Sequence, residues 1–404
     1  MTLARIPFSK PSFDEGELAE IGANIKLVLR SGRLTSGPMV ERFEEEFSRF
    51  TGSRHAVAMN SCTAALHAIL CALGVSKGDE VIVPSNTFVA TANAALYQGA
   101  TPVFADCDDD TFNVSPADIE RKITKKTKAM IVVHLGGNPC DMDEITEISE
   151  RHSVPIVEDC AHAHGAKFQG KNCGTIGVAG AFSFYPSKIF TTAEGGMVVT
   201  DSKEMAEKLR ILRNHGRAEF GPSEVIELGY NYRLSDVHAV LGISQLKHVD
   251  RFLEHRKRIA DLYNEGMRGI GCLEPQLVRK NSVCSYYAYL VKIDENAPFD
   301  RDELLSELNG RGVDTSILYH PIHLQPLYRR LFGYRERLLP VTEKLGRTSF
   351  GLPLYNDISF EEARHVLGTL RLSCTSLKRR ITKRKGTLNS SGSPIKNFEL
   401  APIH

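Results

Sequence analysis

Hydrophobic and polar positions change their period repeatedly between residues 80 and 200, and these changes predict alternating strands and helices. Short β-branched or apolar runs end at polar or glycine residues and are too short for helices, as in EVIVP, TPVFA, AMIVV, VPIVED, AFSF and GMVVT. Segments with helical spacing, such as TANAALYQG and DMDEITEISERHS, lie between them. This order predicts βαβ units and a mainly parallel sheet that is buried on both faces.

The pattern changes after about residue 245. A long charged helix is predicted over residues 245–267, and it leads into SYYAYLVKID, the helical RDELLSELNGRG and then VDTSILYH. We therefore predict a large α/β domain over residues 1–245 and a smaller C-terminal α+β domain over residues 246–375. A basic, disordered tail is predicted over residues 376–404.

Composition narrows the class of protein. The 404 residues are 42% hydrophobic and 25% charged, with a net charge of +1, which is typical of a globular protein. No apolar run approaches the roughly 18 residues of a membrane span, and Met1–Lys10 lacks the apolar core of a secretion signal. The nine cysteines are scattered. We therefore expect a cytoplasmic protein with reduced thiols and no membrane span.

Charge is concentrated near the C-terminus. Six of the eight residues Lys378–Lys385 are basic, and the Ser/Gly/Pro-rich stretch TLNSSGSP follows them. Such a run is typical of a solvated tail. The rest of the chain has no matching basic run, so no nucleic-acid partner is expected.

The stretch AFSFYPSKIFTTAEGGM places Lys188 among aromatic and aliphatic neighbours. Desolvation lowers the pKa of a lysine ammonium and frees its amine for imine formation. Gly195 and Gly196 would allow another backbone to approach closely. The alternative is a lysine at a strand end with its charged group in water.

The stretch VPIVEDCAHAHGA ends an apolar strand at Asp159, and His162 follows. A carboxylate at a buried strand end needs a cation or several hydrogen-bond donors. The protonated ring nitrogen of pyridoxal phosphate (PLP) would be such a cation, and His162 could bond the phenolic oxygen of the same ring. The alternatives are a helix N-cap for Asp159 and a core position for His162.

A third cluster follows the strand AVAM, where Cys62 and Thr63 open a helical segment. Free N–H groups at a helix start bind anions, and a phosphate would fit there. Ser183 offers another hydroxyl, and Phe88, at a strand end, could stack on a flat ring. The alternatives are an ordinary helix cap and a core aromatic residue.

Two further clusters lie later in the chain. Asn231 and Arg233 precede a helix, and a guanidinium suits carboxylate or phosphate recognition, although a surface loop is the alternative. Tyr319, His320 and His323 surround a proline. Two histidines three residues apart could bind a metal, but no further ligand cluster accompanies them, so no metal is predicted.

Taken together, the chain resembles the DegT/DnrJ/EryC1/StrS family, the PLP-dependent sugar aminotransferases of aspartate aminotransferase fold type I. The resemblance covers about residues 5–372 and includes TSGPMVERFEEEFSRFTG, HLGGNPCDMDEI, VEDCAHAHGA, FSFYPSK, EGGMVVT and GYNYRLSDVHAVLGISQL. It implies a seven-stranded, mainly parallel sheet in the large domain, and PLP as cofactor.

The family pattern implies that Lys188 bonds covalently to PLP, that Asp159 meets the pyridine nitrogen and that His162 lies near the phenolic oxygen. His162 departs from the Gln of many relatives, but it can still donate a hydrogen bond. Some relatives replace the lysine with His and catalyse dehydration. The presence of Lys188 therefore favours transamination.

The resemblance further implies that Cys62, Thr63 and Ser183 hold the phosphate and that Phe88 covers the ring. Cys62 replaces the Gly of the common Ser-Gly-Thr motif. Its main-chain N–H survives this change, so phosphate binding is expected to persist.

Contacts across a subunit interface are implied as well. Asn231 would reach the cofactor from the partner subunit of a homodimer with shared active sites. Arg233, Tyr319 and His323 fall where relatives contact the amino donor or the sugar nucleotide.

The resemblance predicts amino transfer from an amino acid, L-glutamate, to a nucleotide-linked keto sugar in surface-polysaccharide or natural-product biosynthesis. The segment KIFTTAEGGM resembles relatives that aminate C4, which favours a 4-keto-6-deoxy sugar. The alternatives are C3 keto sugars or keto cyclitols as substrates, and a non-enzymatic PLP-binding regulatory protein. A Rossmann oxidoreductase is disfavoured because no GxGxxG follows the first strand.

Overall fold

The computed structural model describes residues 5–217 and 224–390, with the side chains of 381–390 left out. Thirteen strands lie in these ranges, and they are numbered in chain order: β1 (His55–Met59), β2 (Glu80–Pro84), β3 (Thr101–Ala105), β4 (Thr127–Val133), β5 (Ile156–Asp159), β6 (Lys167–Phe168), β7 (Lys171–Asn172), β8 (Ala179–Ser183), β9 (Gly196–Thr200), β10 (Leu273–Pro275), β11 (Ser282–Val283), β12 (Tyr289–Ile293) and β13 (Ser349–Leu352).

The same ranges contain thirteen α-helices and two short 3₁₀ turns at 135–137 and 322–324. The α-helices are α1 (Glu15–Ser31), α2 (Pro38–Thr51), α3 (Cys62–Ala72), α4 (Ala90–Tyr97), α5 (Pro116–Lys122), α6 (Met142–His152), α7 (Lys203–Arg213), α8 (Asp236–Leu246), α9 (Val249–Met267), α10 (Arg301–Gly310), α11 (Pro326–Phe332), α12 (Pro340–Thr348) and α13 (Phe360–Ser390).

Seven strands form the main sheet in the order β1-β9-β8-β5-β4-β2-β3. The four neighbouring pairs from β3 to β8 are parallel, whereas β9 runs antiparallel to both β8 and β1. Both faces are covered: along β1, Val57 packs in the cluster that contains α3, and Ala58 packs in the cluster that contains α2 and α8. The predicted mainly parallel, doubly covered sheet is confirmed.

This topology brings distant segments to one edge of the sheet. Strands β1, β8 and β5 run in the same direction, so their carboxyl ends lie together. Ser183 and Asp159 end two of these strands, and Cys62 opens α3 just beyond the third. Because β9 runs the other way, its first residue, Gly196, lies at this edge too, opposite Met59. Ligands of parallel sheets bind at such an edge.

A second core lies in the C-terminal half. It is built around the three-stranded sheet β10-β12-β13, and helices α9, α10 and α13 contribute Ile259, Leu304 and Leu370 to it. The N-terminal Ile6 also packs there. The predicted domain boundary at 245/246 falls at the end of α8.

The last helix differs from the prediction. A disordered tail was expected from residue 376, but α13 continues to Ser390. Lysine and arginine are good helix formers, and no proline interrupts this segment, so a run of positive charge is compatible with a helix. Residues 391–404 lie outside the described part of the chain, and there the tail stays a prediction. Across the described residues, none of the helices combines the length and the apolar character that crossing a membrane requires.

Candidate active site

A cavity of about 470 Å³ opens at the carboxyl edge of the main sheet. Its size suits a small organic ligand. Eight residues that the sequence predicted as site residues line it: Cys62, Thr63, Phe88, Asp159, His162, Ser183, Lys188 and Tyr319.

Lys188 lies on the turn that follows β8, where its N–H donates to the carbonyl of Tyr185 at 2.9 Å. Its side chain is half-buried, and its Nζ lies 4.4 Å from the ring centroid of Tyr287. The aromatic neighbours in sequence do not surround the amine as expected: Phe184 and Phe190 pack into the core below it. Tyr185 lines the cavity together with Lys188, and the small domain adds Tyr287 and Tyr319 to the same lining.

Asp159 lies at the end of β5 and is 4% exposed. Its carboxylate accepts hydrogen bonds from the Thr91 hydroxyl at 2.8 Å and from the Ala161 N–H at 3.1 Å. Burial raises the pKa of Asp159, and these neutral donors oppose that shift. A cation placed against the carboxylate would favour its charged form.

The start of α3 has free main-chain N–H groups at the cavity. Ser61 caps the helix by accepting the N–H of Ala64 at 3.1 Å, and the N–H groups of Cys62 and Thr63 precede the intrahelical hydrogen bonds. A side chain at Gly196 would place its Cβ 2.3 Å from the Ser61 carbonyl carbon, so β9 approaches α3 this closely only with glycine there. Burial raises the pKa of the Cys62 thiol, which therefore stays neutral.

His162 is almost fully buried and has both ring nitrogens engaged. Nδ1 accepts the N–H of Gly136 at 3.4 Å, and Nε2 lies 3.0 Å from the hydroxyl of Tyr319. Burial lowers the pKa of His162, with the nearby Lys188 adding to the effect, so the ring is neutral. Since Nδ1 is the acceptor, Nε2 carries the proton and donates to Tyr319. A bond from His162 to a ligand would have to replace one of these contacts.

Three predicted residues lie outside the lining of the cavity. Asn231 is exposed, and its carbonyl accepts the Asn60 side-chain amide at 3.2 Å. Arg233 donates to the side-chain oxygen of Asn214 at 2.9 Å. His323 is fully buried. Its ring contacts a serine hydroxyl at 2.7 Å and a glutamate at 3.2 Å, which turns it into the core beside the cavity.

One group of potential metal ligands lies behind the cavity among the described residues: His134, Glu158 and Cys160. His134 Nε2 contacts Glu158 at 3.0 Å, and its Nδ1 accepts the N–H of Cys140 at 3.0 Å. The Glu158 oxygens also accept three main-chain N–H groups of the loop 174–177, each at 2.7 Å. These contacts occupy the ring nitrogens of His134 and the oxygens of Glu158, so these two residues form a buried hydrogen-bonded pair at the end of β5.

Comparisons with known proteins show which family the chain belongs to. A model of the DegT/DnrJ/EryC1/StrS aminotransferase family matches residues 16–371. The chain belongs to this family. The spore coat polysaccharide biosynthesis protein SpsC of Bacillus subtilis is 38% identical over 378 residues, which cover 91% of this chain and 96% of SpsC.

Solved structures are similar over nearly the whole fold. The PLP-form of Spr1654 from Streptococcus pneumoniae has a TM-score of 0.86 and 32% identity, covering 92% of this chain and 99% of its own. DesI, in the presence of its TDP-sugar product, has a TM-score of 0.86 and 31% identity, covering 95% and 96%. The predicted family, fold and cofactor are confirmed: this protein is a PLP-dependent sugar aminotransferase.

The described residues fit PLP. The helix start at Cys62 and Thr63 suits its phosphate, the buried carboxylate of Asp159 suits its pyridinium nitrogen, and the amine of Lys188 lies in the same cavity. When bound, PLP supplies an aldehyde that takes up amino groups and a ring that withdraws electrons from the reacting carbon.

Two residues of the site were missed from the sequence. Thr91, which orients Asp159, lies in an ordinary-looking helical segment, and no local pattern marks its hydroxyl as important. Tyr287 reaches the cavity because the small domain folds back onto the sheet edge. The dense tyrosines of SYYAYL were the only available signal, and they also suit a core strand.

Proposed function

We propose that the enzyme transfers the amino group of L-glutamate to C4 of a nucleotide-linked 4-keto-6-deoxy sugar. The transfer serves the synthesis of an amino sugar for a surface polysaccharide or a natural product. The names of two relatives support this assignment: SpsC acts in spore coat polysaccharide biosynthesis, and DesI has a TDP-sugar product. The segment KIFTTAEGGM, which resembles C4-aminating relatives, favours C4 over C3.

The observation that carries this function is the shared cavity of Lys188 and Asp159. Lys188 would hold PLP through its amine, and the same amine could move a proton at the donor's Cα as general acid and base. Asp159 would pair with the ring nitrogen of PLP in its protonated form. Lys188 lies within the cavity, where its amine can move the proton. Asp159 lies at the buried end of the cavity, where its negative charge would stabilise the protonated ring nitrogen.

The remaining residues bind and orient. Cys62 and Thr63 hold the phosphate through their N–H groups, with Ser183 beside them, and Phe88 covers the ring. Tyr319 lines the cavity and contacts the substrate. Its hydroxyl accepts a hydrogen bond from the protonated Nε2 of His162. His162 approaches the phenolic oxygen only if that bond opens.

A homodimer completes the site in this proposal. The exposed Asn231 reaches the phosphate of the partner subunit, and Arg233 contacts the substrate carboxylate or diphosphate there. His323 supports the substrate wall from within the core.

A substrate panel tests the proposal. PLP-loaded enzyme and L-glutamate are incubated with 4-keto-6-deoxy and 3-keto nucleotide sugars and with keto cyclitols, and the amino products are identified by mass spectrometry. Product from the 4-keto sugars alone supports the assignment, whereas product from either other class would replace it. Lys188→Ala should abolish turnover and the borohydride-trapped adduct on the peptide around residue 188. An intact adduct elsewhere would show that another lysine is the catalytic amine.

A further inference from the structure

Arg256 of α9 is a buried cation whose hydrogen-bond partners are all neutral. The residue is 2% exposed. Its Nε donates to the side-chain oxygen of Asn356 at 2.7 Å. Its Nη1 donates to the carbonyls of Tyr286 at 3.1 Å, Tyr287 at 3.3 Å and Leu354 at 3.1 Å.

Burying a guanidinium is costly because burial removes its hydration, which hydrogen bonds must replace. Burial lowers the pKa of Arg256 to about 10, so the side chain remains charged at neutral pH. A planar guanidinium offers five N–H donors in a fixed geometry, and here one side chain joins the segments 286–287 and 354–356 to α9. An apolar residue of similar volume could fill the space, but it could not make these links.

The first link leads to the catalytic lysine. The side-chain amide of Asn356 donates to the carbonyl of Ile189 at 2.7 Å. Ile189 directly follows Lys188 in the chain. Two consecutive hydrogen bonds therefore connect the guanidinium of Arg256 to the main chain beside Lys188.

The second link leads to the ring beside the amine. Arg256 holds the carbonyl of Tyr287, and the ring of that tyrosine lies 4.4 Å from Lys188 Nζ. The same ring stacks on His162 with 4.0 Å between centroids, and its hydroxyl lies 3.2 Å from Ser187 Oγ. Arg256 thus orders both the main chain that carries the amine and the surface beside it.

We propose that Arg256 is a positioning residue that fixes Lys188 for proton transfer through Asn356 and Tyr287. This inference rests on the catalytic role proposed for Lys188. It assigns Arg256 no contact with cofactor or substrate. Its effect is on the geometry of the amine, so the chemical step should suffer while substrate binding is largely preserved.

The test compares Arg256→Met with Arg301→Met. Arg301 is a second buried arginine of the small domain: it is 6% exposed and donates to the carbonyls of Gly346 at 2.6 Å and Ser349 at 3.4 Å, and to the carboxylate of Asp302 at 2.9 Å. Hydrogen exchange of the segment 186–191 is measured in the cofactor-free proteins, and kcat and KM for L-glutamate in the loaded ones.

Arg256→Met should exchange this segment at least about tenfold faster and lower kcat by about 10- to 100-fold with KM changed by less than about threefold. Arg301→Met should lower the melting temperature but leave both readouts near wild type. Asn356→Ala removes both hydrogen bonds of this link, from Arg256 Nε and to the Ile189 carbonyl, but keeps the bonds of Arg256 to the carbonyls of Tyr286, Tyr287 and Leu354. It should reproduce the faster exchange, which keeps the test valid if Arg256→Met does not fold.

Wild-type exchange in both Arg256→Met and Asn356→Ala, or equal acceleration in Arg301→Met, would overturn the proposal. Borohydride trapping of the wild-type enzyme separates the two hypotheses. A missing adduct at Lys188 would refute the proposed catalytic role, while the exchange measurement on cofactor-free protein would still report whether Arg256 orders this segment.

Discussion

The hydroxyl of Thr91 donates to the carboxylate of Asp159 at 2.8 Å, and both side chains are buried. The bond links the first turn of α4 to the end of β5 and so orients the carboxylate of Asp159. It also favours the ionised carboxylate, which is the form that pairs with a protonated ring nitrogen.

Thr91→Val should therefore weaken PLP binding. A hydrogen bond to a charged group contributes about 1.5–3 kcal/mol, which corresponds to an increase of about 10- to 100-fold in the dissociation constant. Fluorescence titration of the cofactor-free protein with PLP measures the change. Thr91→Ser keeps the hydroxyl and should bind nearly as wild type. Equal affinity of the valine variant and wild type would show that Asp159 is held adequately by Ala161 alone.

Gly196→Ala should destabilise the fold where β9 approaches the start of α3. The new Cβ would lie 2.3 Å from the Ser61 carbonyl carbon, so β9 and the start of α3 must separate. Overpacking of this kind costs about 1–3 kcal/mol, and urea unfolding measures it. The control is Gly22→Ala on the exposed face of α1, where no other atom lies within 4 Å. That variant should be neutral or up to about 1 kcal/mol more stable.

The burial of His164 predicts how the free energy of unfolding depends on pH. The residue is fully buried against three phenylalanine rings, and burial, reinforced by the charge of Lys188, lowers its pKa to about 3. The unfolded chain, with an ordinary histidine pKa of about 6.5, binds the proton first as pH falls. The contribution of His164 to the free energy of unfolding is therefore fully present above about pH 6.5 and is lost progressively as the pH falls below that value.

At pH 5 the free energy of unfolding should be lower by about 2 kcal/mol than at pH 7 because of His164. Urea unfolding of the cofactor-free protein at both pH values measures it. His164→Leu should lack this part of the acid loss, while His320→Leu, at an exposed histidine, should keep the wild-type dependence. Parallel pH profiles for wild type and His164→Leu would contradict the lowered pKa.

Subunit mixing tests the shared site. If Asn231 serves the partner's cofactor, one heterodimer of Lys188→Ala and Asn231→Ala contains one intact site and one doubly damaged site. Random reassociation of equal amounts should then restore about a quarter of wild-type activity. The control mixture of Lys188→Ala and Lys188→Arg should recover none. No recovery in the test mixture, although native mass spectrometry shows mixed dimers, would place Asn231 in its own subunit's site.

Much of the large domain could be predicted from the sequence because its signals are local. Short apolar runs separated by helical segments determine a parallel sheet, and the parallel direction alone brings the residues after each strand together. Asp159, Ser183 and Cys62 were found in this way, without knowledge of any contact between them.

The contributions of the small domain could not be found this way. The position of Tyr287 at Lys188 depends on how the second core folds back, and that packing leaves no periodic mark on the sequence. His323 shows the opposite difficulty: a polar residue in a polar motif is turned inward by Ser85 and Glu343. In the proposed homodimer, Asn231 and Arg233 would act in the site of a second copy of the chain, which one sequence does not position.

The wall that Tyr287 and Tyr319 add to the sheet edge also affects the order of events during synthesis. A nascent chain that has emerged as far as Thr200 already possesses every strand of the main sheet and the lysine itself. Until more than a hundred further residues have left the ribosome, that amine faces water on the side the tyrosines later cover. The surface on that side of Lys188 is therefore completed only after most of the chain has been synthesised.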